Sequence, residues 1–311
     1  MKSASGPVLV TGADGFVGGY LVAQLESDGL QVVRAVHRPD RHAHVVLDIC
    51  EAGAVAAAIA ELQPSAIVNL AGMADPGDAE REPERAFQVN LFGPLHLAQA
   101  LRRHAPEARL VVVGSAHVYG PANDEGMVRE DAPLRPTSLY GVTKAAADLL
   151  ALQQFSDAGL DTVRLRLFNT IGPGRQEAYF PGRQVKHLAE ILEGRTPPTI
   201  QTLSLDGARD FLDVRDTANA ISHALRKGKS GAAYNVGSSV ATPLRTVIER
   251  LIALAGRSIE IREQSIKGSG RSAYSMAGDT TALRADTGWS PRYTLDDSLR
   301  DALAHARAAL Q

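Results

Sequence analysis

The sequence predicts an α/β fold, a parallel sheet covered by helices on both faces, with a second, smaller lobe drawn mainly from the later part of the chain. Three observations carry this. Short apolar runs of strand character alternate with longer amphipathic stretches through the first half, a glycine-rich turn joins the first such pair, and the rhythm breaks at Gly172-Pro173-Gly174. At 311 residues the chain also exceeds what one compact core normally takes, so a large lobe, a small lobe and a cleft between them are expected.

Taken in order, residues 8–10 read as a strand and 16–25 as a helix. Residues 32–36 and 45–47 are strands, 54–62 a helix and 66–70 a strand. The stretch 84–103 reads as one helix, 110–113 as a strand, 139–155 as a helix opened by Thr137 or Ser138, and 162–167 as a strand. Beyond Phe168 the segments look irregular, with turn signals at Pro181-Gly182 and Pro197-Pro198. Residues 210–225 and 233–236 return to a helix and a strand, and 243–255 and 279–310 look mostly helical. The expected division is 1–169 with 206–236 for the main domain, and 170–205 with 237–311 for a discontinuous second one.

Composition narrows the function classes. Hydrophobic residues at 44% and charged residues at 22% match a globular protein, not a disordered or fibrous one. Lys and Arg total 33 against 35 Asp and Glu, so no charge surplus argues for a nucleic acid or an anionic membrane as partner. Cys50 is the single cysteine, which rules out an intramolecular disulfide and a multi-cysteine metal site. His96, His104, His187 and His223 lack ligand spacing, so no metal is expected. The polar start and the short apolar run after it fit neither a signal peptide nor a membrane span, and a cytoplasmic location is expected.

Thr11-Gly12-Ala13-Asp14-Gly15-Phe16-Val17-Gly18 follows a predicted strand and opens a predicted helix. Gly12 and Gly15 let backbone approach a pyrophosphate, Gly18 lets the helix pack close to the sheet, and the helix N-terminus offers N–H groups and partial positive charge. The spacing departs from the usual Gly-x-Gly-x-x-Gly, yet strand before and helix after mark a Rossmann-type, doubly wound sheet. At the end of the second strand, Arg34-Ala35-Val36-His37-Arg38 contains no acid to hold the ribose hydroxyls of NAD. Arg38 suits a 2′-phosphate, which favours NADP(H), with NAD(H) as the alternative because a basic residue at a strand end is often merely solvated.

Tyr140 and Lys144 lie four apart and share a helix face. A tyrosine with an ordinary pKa of about 10 needs a fixed cation beside it to exchange a proton near neutrality. Such a pair also arises by chance on solvated helices. It gains weight from Gly114-Ser115-Ala116-His117-Val118-Tyr119-Gly120 just beyond the strand 110–113, because the carboxyl ends of parallel strands form the crevice of such sheets. There Ser115 would donate to a substrate oxygen that changes charge during hydride transfer.

With these residues in place the chain resembles an extended short-chain dehydrogenase/reductase of the nucleotide-sugar epimerase/dehydratase type, over essentially its whole length. Further matching elements are Asp48-Ile49, Asn69-Leu70-Ala71-Gly72, Val89-Asn90, Arg166 to Asn169, Arg209 to Asp216 and Gly278 to Trp289. Phe168-Asn169-Thr170-Ile171-Gly172-Pro173-Gly174 and Ala208-Arg209-Asp210-Phe211-Leu212-Asp213 give the greatest likeness to GDP-4-keto-6-deoxymannose reductases. The resemblance implies that Asp48 and Ile49 hold the adenine and that Leu70, Ala71 and Gly72 line the cofactor. It implies that Lys144 also grips the nicotinamide ribose, that Asn169 bonds the sugar or its phosphate, and that Arg209 and Arg271 clamp the diphosphate. The bland alternative for both arginines is a surface charge.

Three departures bear on the reaction. Sugar 4,6-dehydratases carry an acid two positions after the catalytic Ser or Thr, where this chain has His117, so dehydration is disfavoured. His117 is either a second substrate-side proton donor or a structural residue. Gly72-Met73-Ala74-Asp75 and Ser272-Ala273-Tyr274 differ from the family pattern and leave the sugar and base open. The expected activity is NADPH-dependent reduction of a nucleoside-diphosphate 4-keto-6-deoxyhexose, a step of deoxysugar biosynthesis. The alternatives are an NAD-dependent nucleotide-sugar 4-epimerase and, from another class, a non-catalytic NADP-sensing protein. The helices 84–103 and 139–155 resemble those that pair across a two-fold axis in the family, so a homodimer is expected.

Overall fold

A computed structural model of the chain describes residues 6–39, 42–121, 127–174, 179–264 and 274–311. Strand β1 (Val8–Thr11) leads into helix α1 (Phe16–Ser27), followed by β2 (Val32–Val36), β3 (Val45–Val46), α2 (Ala52–Leu62) and β4 (Ala66–Asn69). Helices α3 (Pro76–Arg81) and α4 (Pro83–Phe87) precede a π-helical turn, Gln88–Phe92, and then α5 (Gly93–His104) and β5 (Arg109–Ser115). A 3₁₀ turn, Ala116–Tyr119, is followed by β6 (Met127–Val128), α6 (Leu139–Ala158), β7 (Thr162–Leu167), β8 (Asn169–Ile171) and α7 (Gly182–Leu192). The remainder comprises β9 (Thr199–Leu203), β10 (Ala208–Asp213), α8 (Val214–Lys227), β11 (Ala233–Val236), β12 (Ala241–Pro243) and α9 (Leu244–Leu254). The last elements are β13 (Glu260–Gln264), β14 (Ser275–Gly278), α10 (Thr281–Thr287) and α11 (Leu295–Ala308).

Seven parallel strands form the main sheet in the order β11-β7-β5-β4-β1-β2-β3, the Rossmann-type, doubly wound arrangement that the alternating pattern predicts. All residues of β1 and β4 are buried, as strands covered on both faces must be. Period-two alternation sends Val10 to one face, where it packs with Leu21, Val22 and Leu25 of α1 and Ile221 of α8. Leu9 goes to the other face, with Ile59 of α2 and Leu97 and Leu101 of α5. The strand order reverses at β1, which has β2 on one side and β4 on the other, so the crevice opens beyond Thr11 and Asn69.

Beside it lies a smaller sheet in the order β12-β10-β14-β6, with β8 paired to β10, and a separate β13-β9 pair. Helices α7, α9 and α11 close over a third apolar cluster that includes Leu188, Ile191, Leu251 and Leu299. The segment 206–236 is shared between sheets: β10 belongs to the smaller one and β11 to the edge of the main one.

Three local expectations change. The stretch 84–103 is α4, the π turn and α5 in succession, because Pro94 has no N–H to bond the residue-90 carbonyl in the α pattern. Residues 210–213 are strand, and Asp213 instead caps α8 by accepting from Arg215 N. Pro181-Gly182 is the start of a helix, not an isolated turn.

Candidate active site

The glycine turn forms from close approaches. Gly12 has φ +66°, and a Cβ there would sit 2.8 Å from Ala71 N, so neither the backbone angle nor the space admits a side chain. The turn and the loop after β4 are joined: Leu70 N donates to Thr11 O at 3.2 Å, and Ala71 N to Thr11 Oγ1 at 3.3 Å. A Cβ at Gly18 would collide with the Gly12 carbonyl. Gly15 caps α1 with no side chain across the opening, while Asp14 is exposed and Phe16 and Val17 are half-buried. Backbone N–H groups are thereby left to face an anion.

Around the far end of this cradle, His37 and Arg38 are exposed past the end of β2. Asp48 Oδ2 lies 3.7 Å from His37 Nδ1 and 3.4 Å from Arg85 Nη2, and Oδ1 accepts from Cys50 N at 2.9 Å. Burial works to raise the Asp48 pKa, but the Cys50 hydrogen bonds and the Arg85 guanidinium outweigh it and hold the carboxyl below its usual range. Ile49 is 3% exposed, inside the apolar cluster below, with its carbonyl 3.0 Å from His96 Nδ1.

Ser115, Tyr140 and Lys144 converge where β5 ends. Ser138 caps α6 by accepting from Gly141 N at 3.1 Å, which sets Tyr140 in the first turn and Lys144 in the second. Lys144 Nζ donates to Val113 O at 3.3 Å, two residues before Ser115. Burial alone brings the Lys144 pKa down to about 8. Ser115 Oγ accepts from His117 N at 3.2 Å, and the His117 ring stands edge-on to Tyr140 at 5.4 Å. Gly72 is exposed above Lys144: a Cβ there would lie 3.1 Å from Nζ and 3.0 Å from Asn90 Oδ1.

On the small-sheet side, Asn169 and Arg209 stand on paired strands, β8 and β10. Asn169 Nδ2 donates to Asp210 O at 3.0 Å. Arg209 is half-buried, donates to the carbonyls of Ala208 and Tyr274, and has its guanidinium carbon 3.5 Å from the Tyr274 ring centroid. Arg271 falls outside the described residues.

Sequence reasoning gave no role to Asn90, which the structure places at the centre of the site. Sitting in the π turn and 1% exposed, it accepts from Met73 N at 2.9 Å and donates to Met73 O and Thr143 Oγ1 at 3.0 Å each. Thr143 in turn donates to Tyr140 O at 2.8 Å, so the loop after Gly72 and helix α6 share one fastening. Gly93-Pro94 immediately after it was the available sign of a broken helix, and π turns gather at functional sites. Among the described residues no helix is long and apolar enough to cross a membrane, and no cluster of His, Cys, Asp or Glu could hold a metal ion.

Comparison with known proteins adds the family. The model of the NAD dependent epimerase/dehydratase family matches residues 8–237. The chain is similar to the GDP-6-deoxy-D-mannose reductase of Pseudomonas aeruginosa, 32% identical over 300 residues that cover 96% of each protein. It also resembles the dTDP-glucose 4,6-dehydratase of Xanthomonas campestris, 28% identical over 94% of this chain and 90% of that one. Among solved structures, RMD from Pseudomonas aeruginosa complexed with NADPH superposes with a TM-score of 0.85 at 30% identity, covering 98% of this chain and 100% of the other. Thermus thermophilus UDP-glucose 4-epimerase with NAD gives a TM-score of 0.85 at 27% identity over 97% and 99%. With the doubly wound sheet, the glycine turn and the Ser115, Tyr140 and Lys144 group in one crevice, this chain belongs to the NAD dependent epimerase/dehydratase family and so to the NAD(P)-dependent enzymes of oxidoreductase type.

Proposed function

We propose that the protein reduces a nucleoside-diphosphate 4-keto-6-deoxyhexose with NADPH. The observation that carries the hydride chemistry is the convergence of Ser115, Tyr140 and buried Lys144 at the end of β5, with Lys144 Nζ fastened to Val113 O at 3.3 Å. Support for a reductase over a dehydratase comes from His117 in the acid's position, and support for NADPH comes from Arg38 and from the Pseudomonas aeruginosa relatives.

The residues present fit the dinucleotide. The side-chain-free turn at Gly12 and Gly15 and the uncapped start of α1 suit a pyrophosphate, the Asp48 carboxylate could accept from an adenine amine, and His37 and Arg38 suit a 2′-phosphate. Bound there, NADPH supplies the hydride for C4 of the sugar. Tyr140 gives its hydroxyl proton to the oxygen at C4 as charge develops on it. Charged Lys144 stabilises the tyrosinate left behind, and Ser115 donates to the same substrate oxygen. Arg209 takes the diphosphate, with Arg271 as a second clamp, and Asn169 orients the sugar or its phosphate. His117 sets the Tyr140 ring from its edge.

A 4-epimerase is the second reading, favoured by the likeness to the NAD-bound Thermus thermophilus enzyme. A panel of GDP-, dTDP-, UDP- and CDP-linked 4-keto-6-deoxy sugars, offered with NADPH and with NADH, separates the two. Reduction is expected to consume NADPH optically and stoichiometrically with one hydroxy-sugar product. Tightly held NAD with epimer formation and no net cofactor turnover would replace the reductase reading with the epimerase one.

The protein is further proposed to act as a homodimer in the cytoplasm. Val142, Leu149 and Phe155 on α6 and Phe92 before α5 are exposed apolar side chains, up to 54% accessible at Leu149, on the two helices that such a pairing would cover.

A further inference from the structure

Behind the catalytic helix lies a buried polar chain that the reaction above does not use. Asp148 follows Lys144 by one turn of α6 and is 3% exposed. Its carboxylate accepts from Arg164 Nη1 at 2.9 Å, from Arg166 Nε at 2.8 Å and from Arg166 Nη2 at 3.0 Å, both arginines standing on β7. Arg166 carries the chain onward: its Nη1 donates to the Tyr119 hydroxyl and to Glu130 O, each at 2.8 Å. The Tyr119 hydroxyl donates to Asn235 Oδ1 at 2.7 Å. Asn235 Nδ2 donates to Val128 O at 2.8 Å and to Asp279 O at 3.2 Å, and Asn235 N donates to Glu130 Oε1 at 2.8 Å.

The route matters more than the bonds. Tyr119 closes the 3₁₀ turn that Ser115 opens, Asp148 belongs to the helix of Tyr140 and Lys144, and Val128 and Asp279 belong to or adjoin the β6-β14 edge of the sheet that carries Arg209. One continuous chain of hydrogen bonds therefore joins the three parts that would hold one nucleotide sugar, the Ser115 turn and the Tyr140 helix at its reacting carbon and the Arg209-bearing sheet at its diphosphate. Apolar side chains would hold these segments together at lower desolvation cost, whereas directional bonds between planar groups fix register. Burial alone would lower the basicity of Arg166, but Asp148 reverses this and keeps it charged, and burial pushes the Tyr119 hydroxyl up to about 12, so both keep their donor roles.

We infer that the Asp148–Arg166–Tyr119–Asn235 chain is a positioning device that sets the Ser115 turn and the Arg209-bearing sheet against the helix of Tyr140 and Lys144. It rests on the reading that these residues act on a nucleotide sugar, but not on reduction over epimerisation, since one set of groups serves both. A misplacement of about 1 Å at a reacting centre costs on the order of 100-fold in rate, so loss of one directional link is expected to show in turnover before it shows in folding.

Tyr119→Phe keeps the ring and removes the hydroxyl that joins the Arg166 and Asn235 side chains directly, leaving only the longer link through Glu130. The expected result is a fall in kcat of roughly tenfold or more, with the Kd for NADPH, read from its fluorescence, changed less than about twofold. With NADPH deuterated at C4, the isotope effect on kcat should rise as hydride transfer becomes rate-limiting. Asp148→Asn, a near-isosteric second break in the chain, should give the same split, and the double variant should lose little more than the worse single one. An unchanged kcat, or equal losses in kcat and NADPH affinity, would overturn the inference. Hydrogen exchange needs no substrate and so stands apart from the functional reading. In Tyr119→Phe, amides 115–120 and 139–144 should exchange faster at an unchanged global melting point, and unaltered exchange there would also overturn it.

Discussion

Lys144 is the residue at which chemistry and stability pull apart. Its folded pKa of about 8 lies below the ordinary 10.5, so between those values the unfolded chain binds a proton that the folded one does not. Its contribution to stability therefore rises with pH across that window, and below about pH 8 the buried charge costs about 1–3 kcal/mol. Lys144→Met is expected to melt a few degrees higher at pH 7, with the gain vanishing towards pH 10.5, while turnover drops by 100-fold or more. Calorimetry across pH, set beside NADPH consumption, checks both halves; a variant less stable at pH 7 would refute the assigned cost. In the proposed mechanism it is the charged form that assists Tyr140, so wild-type turnover is expected to decline as pH climbs through about 8. The four-residue spacing of Tyr140 and Lys144 is plain in the sequence, but the desolvation that tunes Lys144 is not. It depends on Val113 and on the approach of Gly72 and Asn90, which are far off along the chain.

Among the elements, the glycine turn and the π turn differ in how openly the sequence declares them. The first is written in local spacing, because a strand, three glycines and a helix suffice to specify it. Gly12→Ala is expected to destabilise the fold by roughly 1–3 kcal/mol and to weaken NADPH binding at least tenfold, since φ is +66° and Ala71 N would lie 2.8 Å from the new carbon. Denaturant titration and NADPH fluorescence test this directly, and wild-type affinity in the variant would refute the cradle. The π turn at Gln88–Phe92 is different, because amphipathic periodicity runs through it unbroken and suggests one helix. Pro94 removes the bond that would have kept the α pattern, and the extra residue swings Asn90 inward to Met73 and Thr143. Short strands such as β6 and β12 escaped the sequence reading for a related reason: two or three residues carry no periodicity, and only their partners make them strands.

For the whole molecule, the exposed Val142 and Leu149, seven residues apart on one face of α6, predict assembly. Leu149→Glu should shift sedimentation at micromolar concentration from dimer to monomer without lowering NADPH affinity, and a wild-type monomer there would refute the pairing. What the sequence determined by itself is whatever short-range pattern dictates: the alternation of strand and helix that yields the parallel sheet, the glycine turn, and the Ser115, Tyr140 and Lys144 group at strand and helix ends. Period-two and period-3.6 burial and backbone-specific residues act over a few positions, so a single chain segment contains all the information. Tertiary structure alone decided that Asn90 joins Met73 to Thr143, that Arg209 lies against Tyr274, and that Asp148, Arg166, Tyr119 and Asn235 form one line through the core. Those contacts join residues up to 116 positions apart. Their energies exist only once the sheet has removed water from between them, and for that reason no local pattern announces them.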